Sequence, residues 1–334
     1  MEGIYPLGAA TTLPARAEAA GRYAAAVTAL AFDPLEELVW AGTEDGRVTV
    51  LHSPSLERHA ACQAHPVDHA VQAVLPVGGN GGGAVSVSAT HVCYHSSGCV
   101  KRWGIPEGAE DPHSDPLTCG AVDAHALGGS GRAFIGRTSA AIAQVDLGAG
   151  RVSLRADVSG ASCTAGTAVM EWGAPRGLLA CGGFGGELVL RDPRGGMRAD
   201  VALATPAHTA GISALAAKGD LVVTCGLTHR AGMVCVDPFV KVVDVRMGAR
   251  VLNVLQFPAG PVAARFHPRH TSSVMLCSGS GMVQAMDAGE GGTGYQNYRL
   301  QLDVGLTLSH CPTAPLPHPP YGASNPREAS AIDN

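Results

Sequence analysis

The apolar positions along this chain fall into short runs with the period of β-strands. Several runs end alike, in a small residue followed by a turn: Leu38-Val39-Trp40-Ala41-Gly42, Phe134-Ile135-Gly136, Leu179-Ala180-Cys181-Gly182, Val223-Thr224-Cys225-Gly226 and Met275-Leu276-Cys277-Ser278. Val85-Ser86-Val87-Ser88 is a weaker sixth. With Gly42, Ser88, Gly136, Gly182, Gly226 and Ser278 as one column, the intervals are 46, 48, 46, 44 and 52 residues. A second run follows each column residue and alternates, as in Val48/Val50, Ile142/Val145, Leu188/Leu190, Val240/Val242 and Val283/Ala285. Four of these end in aspartate, at Asp146, Asp192, Asp244 and Asp287. Upstream of the column stands a third run, as at Val27 to Phe32, Ile212 to Ala216 and Val262 to His267. No window shows a sustained helical period, and the gaps are too short and glycine-rich for crossover helices.

A repeat of about 40–50 residues built from strands is the signature of a β-propeller blade. The expected fold is therefore all-β, a WD40-type propeller of four-stranded blades around a channel. The Asp residues stand where the Trp-Asp dipeptide of such repeats belongs, and Trp103 is the nearest counterpart of the Trp. Six blades are recognisable. A seventh column member would fall near residue 325, but residues 311–334 carry Pro312, Pro315, Pro317, Pro319, Pro320 and Pro326. Proline cannot donate to a strand ladder, so that region reads as a tail or linker stub. Tyr295 to Val304 and Leu306 to His310 are expected to supply strands of a partial seventh blade, with residues 1–26 pairing onto it. The propeller is expected to span residues 27–310.

Composition narrows the function classes. Apolar residues make up 46% of the 334 and charged residues 15%, which is globular and not disordered. A net charge of -5 excludes a broadly basic nucleic-acid binder, and 4% aromatics excludes a continuous base-stacking platform. No run approaches the roughly 20 apolar residues that span a bilayer. Residues 1–20 lack the basic and apolar regions of a signal peptide. Ten cysteines at no framework spacing suit reduced thiols in cytoplasm or nucleus.

Three stretches carry a more specific resemblance. They are Ala29 to Gly42, with Asp33-Pro34 and Trp40-Ala41-Gly42; Cys181-Gly182 through Gly186-Glu187-Leu188-Val189-Leu190-Arg191-Asp192; and Leu221 to Gly226 followed by Phe239-Val240-Lys241-Val242-Val243-Asp244-Val245-Arg246. In order and at compatible spacing from about residue 27 to about 304, they resemble the N-terminal propeller of the catalytic subunit of the poly(A)-nuclease deadenylase complex. In that family a seven-bladed propeller precedes a connector that binds a pseudokinase subunit, an inactive ubiquitin-hydrolase-like domain and a 3′-exoribonuclease domain. The resemblance implies a scaffold role in cytoplasmic mRNA poly(A)-tail shortening, P-bodies included. The implied partners are the pseudokinase subunit and, indirectly, poly(A)-binding protein and poly(A) mRNA, with no DNA and no membrane. The glycine-rich insertions at 78–83 and 289–294 depart from the family pattern.

Motifs for chemistry are missing. The family's exonuclease needs an Asp-x-Glu to hold metal ions, and no Asp-x-Glu occurs in this chain. Phosphate-loop, His-Glu-x-x-His and Gly-x-Ser-x-Gly motifs are missing too, so no enzyme activity and no cofactor are expected. Residues 78–83 have no following lysine and read as a hairpin loop. One cluster has ligand character: His91, Cys93 and His95 share a strand face, and Cys99 follows across a turn, so zinc is a weak alternative to an ordinary hairpin. His65, His125 and His208 each follow an alanine where blades begin, and His208 in particular fits the buried histidine–aspartate network of WD40 repeats. The long loop 227–238 offers Thr228, His229, Arg230 and Asp237 as candidate binding residues, with Arg230 suited to a phosphate or carboxylate. A tolerated surface excursion is the competing reading of that loop. Two other functions are open to this fold: an adaptor for another assembly, such as a ubiquitin ligase, and an enzyme using the channel. The almost purely apolar inner strands count against the enzyme.

Overall fold

The computed structural model describes residues 25–299 apart from 79–81, 108–114, 124–130, 158–165, 174–176, 198 and 290–293. Six antiparallel sheets follow one another along the chain. The first comprises β1 (Val27–Phe32), β2 (Leu38–Thr43), β3 (Arg47–His52) and β4 (Arg58–Gln63), and the second β5 (Val71–Pro76), β6 (Ala84–Ser88), β7 (His91–His95) and β8 (Lys101–Pro106). The third holds β9 (Leu117–Asp123), β10 (Arg132–Arg137), β11 (Ala141–Asp146) and β12 (Arg151–Asp157). The fourth holds β13 (Thr167–Gly173), β14 (Leu178–Gly183), β15 (Glu187–Arg191) and β16 (Ala199–Pro206). The fifth contains β17 (Ile212–Lys218), β18 (Leu221–Arg230), β19 (Met233–Val236), β20 (Phe239–Asp244) and β21 (Arg250–Gln256). The sixth contains β22 (Pro261–Phe266), β23 (Ser273–Ser278), β24 (Met282–Asp287) and β25 (Gly294–Arg299). Each is an up-and-down meander in chain order, and β19 is an extra strand on β18. The first strands pack side by side, β1 on β5, β5 on β9, β9 on β13, β13 on β17 and β17 on β22. This is the blade succession of a propeller, with the first strand of every blade innermost.

The repeated column has a steric cause. The column residues stand at or near the end of the second strand of each blade core, and Gly42, Gly136 and Gly182 lie where the first strand of the next blade crosses. A Cβ on Gly42 would lie 2.5 Å from Val71 Cγ1, and one on Gly182 would lie 2.7 Å from Ile212 Cγ2. A side chain there would push neighbouring blades apart. In the first five blades the second strands are largely apolar runs because both their faces are covered, as in β2, where Leu38, Val39, Trp40, Ala41 and Gly42 are all buried. Inter-blade cores form from the second and third strands of one blade and the first and second of the next. Leu38, Trp40, Val48 and Val50 meet Val71 and Val74 in one such layer. Val223, Val240 and Val242 meet Ala264, Val274 and Leu276 in another. The terminal aspartates also repeat a role. Asp146, Asp192, Asp244 and Asp287 accept from the backbone N–H of Ala149, Arg194, Arg246 and Gly289, at 2.9, 2.9, 2.8 and 2.7 Å. Each closes the turn out of the third strand by the aspartate's habit of bonding backbone two or three residues on.

Two expectations about individual segments are corrected. Trp103 lies in the fourth strand of blade 2, not at the end of a third strand, and donates its indole N–H to Leu147 O at 3.0 Å across the blade boundary. Gly294–Arg299 pairs with β24 (Val283↔Tyr298) and completes the sixth blade instead of beginning a seventh. The physical reason is strand count. After β24 ends at Asp287 the sixth sheet has only three strands, and the next segment supplies the fourth. The 52-residue interval before Ser278 reflects the inserted β19, not an extra blade. The remaining residues expected in a seventh blade, and the Pro-rich tail, lie outside the described residues. Val27, Leu30 and Phe32 of β1 are exposed.

Candidate interaction site

The segment 227–238 is a hairpin, not an irregular loop. β18 runs past the blade and pairs with β19 through Leu227↔Val236, Thr228↔Cys235, His229↔Val234 and Arg230↔Met233. The two turn residues, Ala231 and Gly232, both have positive φ (50° and 78°), as a two-residue turn matched to strand twist requires. The hairpin projects His229 and Arg230 with Met233, Val234 and Val236, all exposed, Met233 to 70%. Phe239, also exposed, stands at its base. Its near side is anchored: Thr209 Oγ1 lies 2.8 Å from Thr228 Oγ1 and accepts from His229 N at 3.0 Å. The far side leans on the next blade, where a Cβ on Gly260 would sit 3.3 Å from Val236 Cγ1. An anchored hairpin of this kind presents one cation inside an apolar surface, a composition suited to a protein partner.

Asp237 faces the other way. It is buried, 2.8 Å from His208 Nδ1 through Oδ2, and its Oδ1 accepts from Phe239 N at 3.0 Å. His208 Nε2 in turn lies 3.0 Å from Thr224 Oγ1 on β18. The His208 side chain is fully buried, and burial outweighs the aspartate to hold its pKa below the ordinary histidine value. Thr228, His229 and Arg230 thus stand on the projecting hairpin, and Asp237 anchors its root to blade 5.

His65 makes the matching bond in blade 2, with Nε2 2.9 Å from Ser86 Oγ. Here the partner beyond the hydroxyl differs: Ser86 Oγ is 3.0 Å from His95 Nε2. Burial, followed by the charges of His95, His91, Lys101 and His69, pushes His65 down to about 3, so its ring is neutral. His125 lies outside the described residues.

The 91–99 cluster divides. His91 turns to Thr90 Oγ1 at 2.8 Å, which also contacts His69 Nδ1 at 3.0 Å. Cys93 Sγ donates to Ala64 O at 3.5 Å and lies 3.9 Å from His65 Nδ1. His95 and Cys99 both reach Cys62 of blade 1, at 3.6 and 2.9 Å from its Sγ. Among the described residues no group of three or more His, Cys, Asp or Glu side chains is placed to hold a metal ion.

Two polar sites between blades carry no signal in the sequence. Cys62 is one. The other is Glu107, whose side chain is fully buried between blades 2 and 3. It accepts from Arg137 Nη2 at 2.6 Å and from Arg155 Nη2 at 2.8 Å and Nε at 3.0 Å. A carboxylate following Pro106 at the end of a blade carries no motif; only the fold brings the two arginines to it.

Against known proteins, the chain matches the family model described as PAN2 N-terminal over residues 16–298. It is 29% identical over 267 residues to the PAN2-PAN3 deadenylation complex catalytic subunit pan2 of Schizosaccharomyces pombe, covering 79% of this chain and 22% of that protein. The corresponding subunit of Cryptococcus neoformans is 29% identical over 297 residues, covering 83% and 23%. That of Gallus gallus is 27% identical over 254 residues, covering 76% and 19%. The chain therefore spans about a fifth of the length of the curated relatives it matches. In fold it is similar to the Neurospora crassa Pan2 WD40 domain, with a TM-score of 0.66 at 20% identity over 79% of this chain and 76% of that one. With a WD40-type propeller as its fold and a family match that runs through all six blades, the chain belongs to the PAN2 N-terminal family.

Proposed function

We propose that this propeller is a non-catalytic platform of a PAN2–PAN3-type deadenylation complex, and that it engages the pseudokinase subunit through the hairpin 227–238. The observation that carries the reading is the anchored hairpin: a blade insertion inside the family match that exposes Met233, Val234 and Val236 around Arg230. Poly(A)-binding protein and poly(A) mRNA are reached indirectly, in keeping with a net charge of -5. The platform acts in the cytoplasm and its P-bodies, and these residues contribute no exoribonuclease chemistry.

The test is direct binding of the purified chain to the purified pseudokinase subunit, by calorimetry, beside the double variant Arg230→Glu, Met233→Asp. A micromolar or tighter Kd that weakens about tenfold or more in the variant, at an unchanged melting temperature, supports the proposal. Absence of binding at tens of micromolar, or equal binding by a folded variant, overturns it.

A further inference from the structure

Blades 1 and 2 meet at a pair of thiols. Cys62 lies on β4, the outer strand of blade 1, opposite Val48. Cys99 follows β7 of blade 2 in a turn closed by its own N–H donating to Ser96 O at 2.8 Å. The turn sets Cys99 at φ 60°, a left-handed conformation that a residue with a Cβ adopts only at a cost of about 1–2 kcal/mol. The result is a Cys62 Sγ to Cys99 Sγ distance of 2.9 Å across the blade boundary. A disulfide bond is about 2.0 Å long, so a shift of about 1 Å joins them. Both are free thiols in this structure.

We propose that Cys62 and Cys99 form a peroxide-reactive dithiol site, in which Cys62 is the nucleophile, Cys99 the resolving thiol, and the product a disulfide that staples blade 1 to blade 2.

The surroundings support these roles through a chain of hydrogen-bonding side chains. His65 Nε2 lies 2.9 Å from Ser86 Oγ, which in turn lies 3.0 Å from His95 Nε2. His95 Nδ1 lies 3.6 Å from Cys62 Sγ. Cys93 closes the far end, its thiol 3.9 Å from His65 Nδ1. His95 and the Cys99 thiol both lie within hydrogen-bonding reach of Cys62, and the Lys101 ammonium adds positive charge. The Cys99 hydrogen bond lowers the Cys62 pKa well below the ordinary thiol value against the opposing effect of burial, with His95 and Lys101 assisting. The same pairing pushes Cys99 far up, so it holds the proton. Cys62 is half-buried and Cys99 buried, so an incoming oxidant meets Cys62 first.

The chemistry balances with hydrogen peroxide as the oxidant. The Cys62 thiolate attacks one peroxide oxygen, the O–O bond breaks, and the departing hydroxide takes a proton from solvent to become water. The Cys62 sulfenic acid is then attacked by Cys99 sulfur. An S–S bond forms, the S–O bond breaks, and the Cys99 proton leaves with the hydroxyl as a second water. Two thiols are oxidised and one peroxide is reduced.

Among the described residues the other thiols lack this arrangement. Burial pushes Cys119 and Cys225 up to about 12. Cys235 is half-buried, with its Sγ donating to the backbone of Thr228 at 3.6 Å, and serves as an internal reference.

The experiment is differential alkylation and peptide mass spectrometry on the full chain through a hydrogen peroxide titration at pH 7. Expected are a Cys62–Cys99 bridged peptide reversed by dithiothreitol, a rise of a few degrees in melting temperature on oxidation, and alkylation of Cys62 in the reduced protein about tenfold faster than Cys235. In Cys99→Ser the Cys62 sulfenic acid persists and is trapped by dimedone; in Cys62→Ser no bridge forms at Cys99. The wild-type measurement stands even where a variant folds poorly. No bridged peptide in wild type, a bridge from Cys62 to other cysteines at equal yield, or Cys62 alkylation no faster than Cys235 overturns the proposal. One tightly retained zinc per chain that blocks both thiols until chelation overturns it as well.

Discussion

Replacing Asp237 with alanine separates the root of the hairpin from its tip. The substitution leaves the fully buried His208 ring without the acceptor at 2.8 Å from its Nδ1, and it removes the acceptor of Phe239 N at 3.0 Å. An orphaned buried donor costs about 1–3 kcal/mol and a lost neutral hydrogen bond about 1, so the loss is about 3 kcal/mol. Unfolding entropy near 2.1 cal/mol/K per residue makes 1 kcal/mol worth about 2 °C in a propeller of this length, which gives a fall of about 5 °C. Arg230→Ala, at an exposed site on the same hairpin, shifts stability by less than about 0.5 kcal/mol. Differential scanning fluorimetry of both variants reads the contrast. An Asp237→Ala protein melting within 1 °C or so of the parent, or an Arg230→Ala protein losing as much as Asp237→Ala, refutes the division of the hairpin into a structural root and an interacting tip.

Further predictions concern the charged and titrating interior. With His65 held down to about 3 in the folded state and near 6.5 when unfolded, only the unfolded chain takes up the proton between these values. Stability from His65 is thus complete above about pH 6.5 and declines as pH falls, by about 2 kcal/mol at pH 5. Chemical denaturation at pH 7 and pH 5 measures it, and His65→Asn should remove about that much of the pH dependence. Glu107→Gln removes the closer of the two carboxylates on Arg137, leaving Asp115 at 3.4 Å, and takes the counter-charge from Arg155; it should cost about 3 kcal/mol, read as a lower urea midpoint at unchanged slope. Gly232→Val places a β-branched residue at φ 78°, costs about 1–2 kcal/mol locally, and should weaken binding to the pseudokinase subunit while the blades melt as before.

Sequence and structure agree where the signal is local and repeated. The column at Gly42, Gly136 and Gly182 is legible because each meets the same steric limit from the next blade's inner strand, while Gly226 meets His208 and Gly211. The four turn-closing aspartates were legible because an Asx turn involves only two or three residues. His208 was read as a network histidine, and its bonds to Thr224 and Asp237 match. What stayed hidden depends on pairings between blades. Cys62 approaches Cys99 and His95 only once blade 1 is docked on blade 2, and no periodicity links residues so far apart. Glu107 meets Arg137 and Arg155 for the same reason. In the sequence the hairpin reads as a loop because Ala231-Gly232 is not one of the common turn dipeptides, although Leu227 to Arg230 and Met233 to Val236 flank a two-residue gap. Asp237 was grouped with the hairpin's polar residues because sequence order cannot show that its side chain points inward.

Affinity purification of the tagged chain from an extract of its source organism, with the Arg230→Glu, Met233→Asp variant alongside, tests the central claim most directly. The account predicts that the parent retains the pseudokinase subunit and, through it, poly(A)-binding protein, and that the folded variant loses both. A folded parent that retains neither would contradict a platform role in deadenylation.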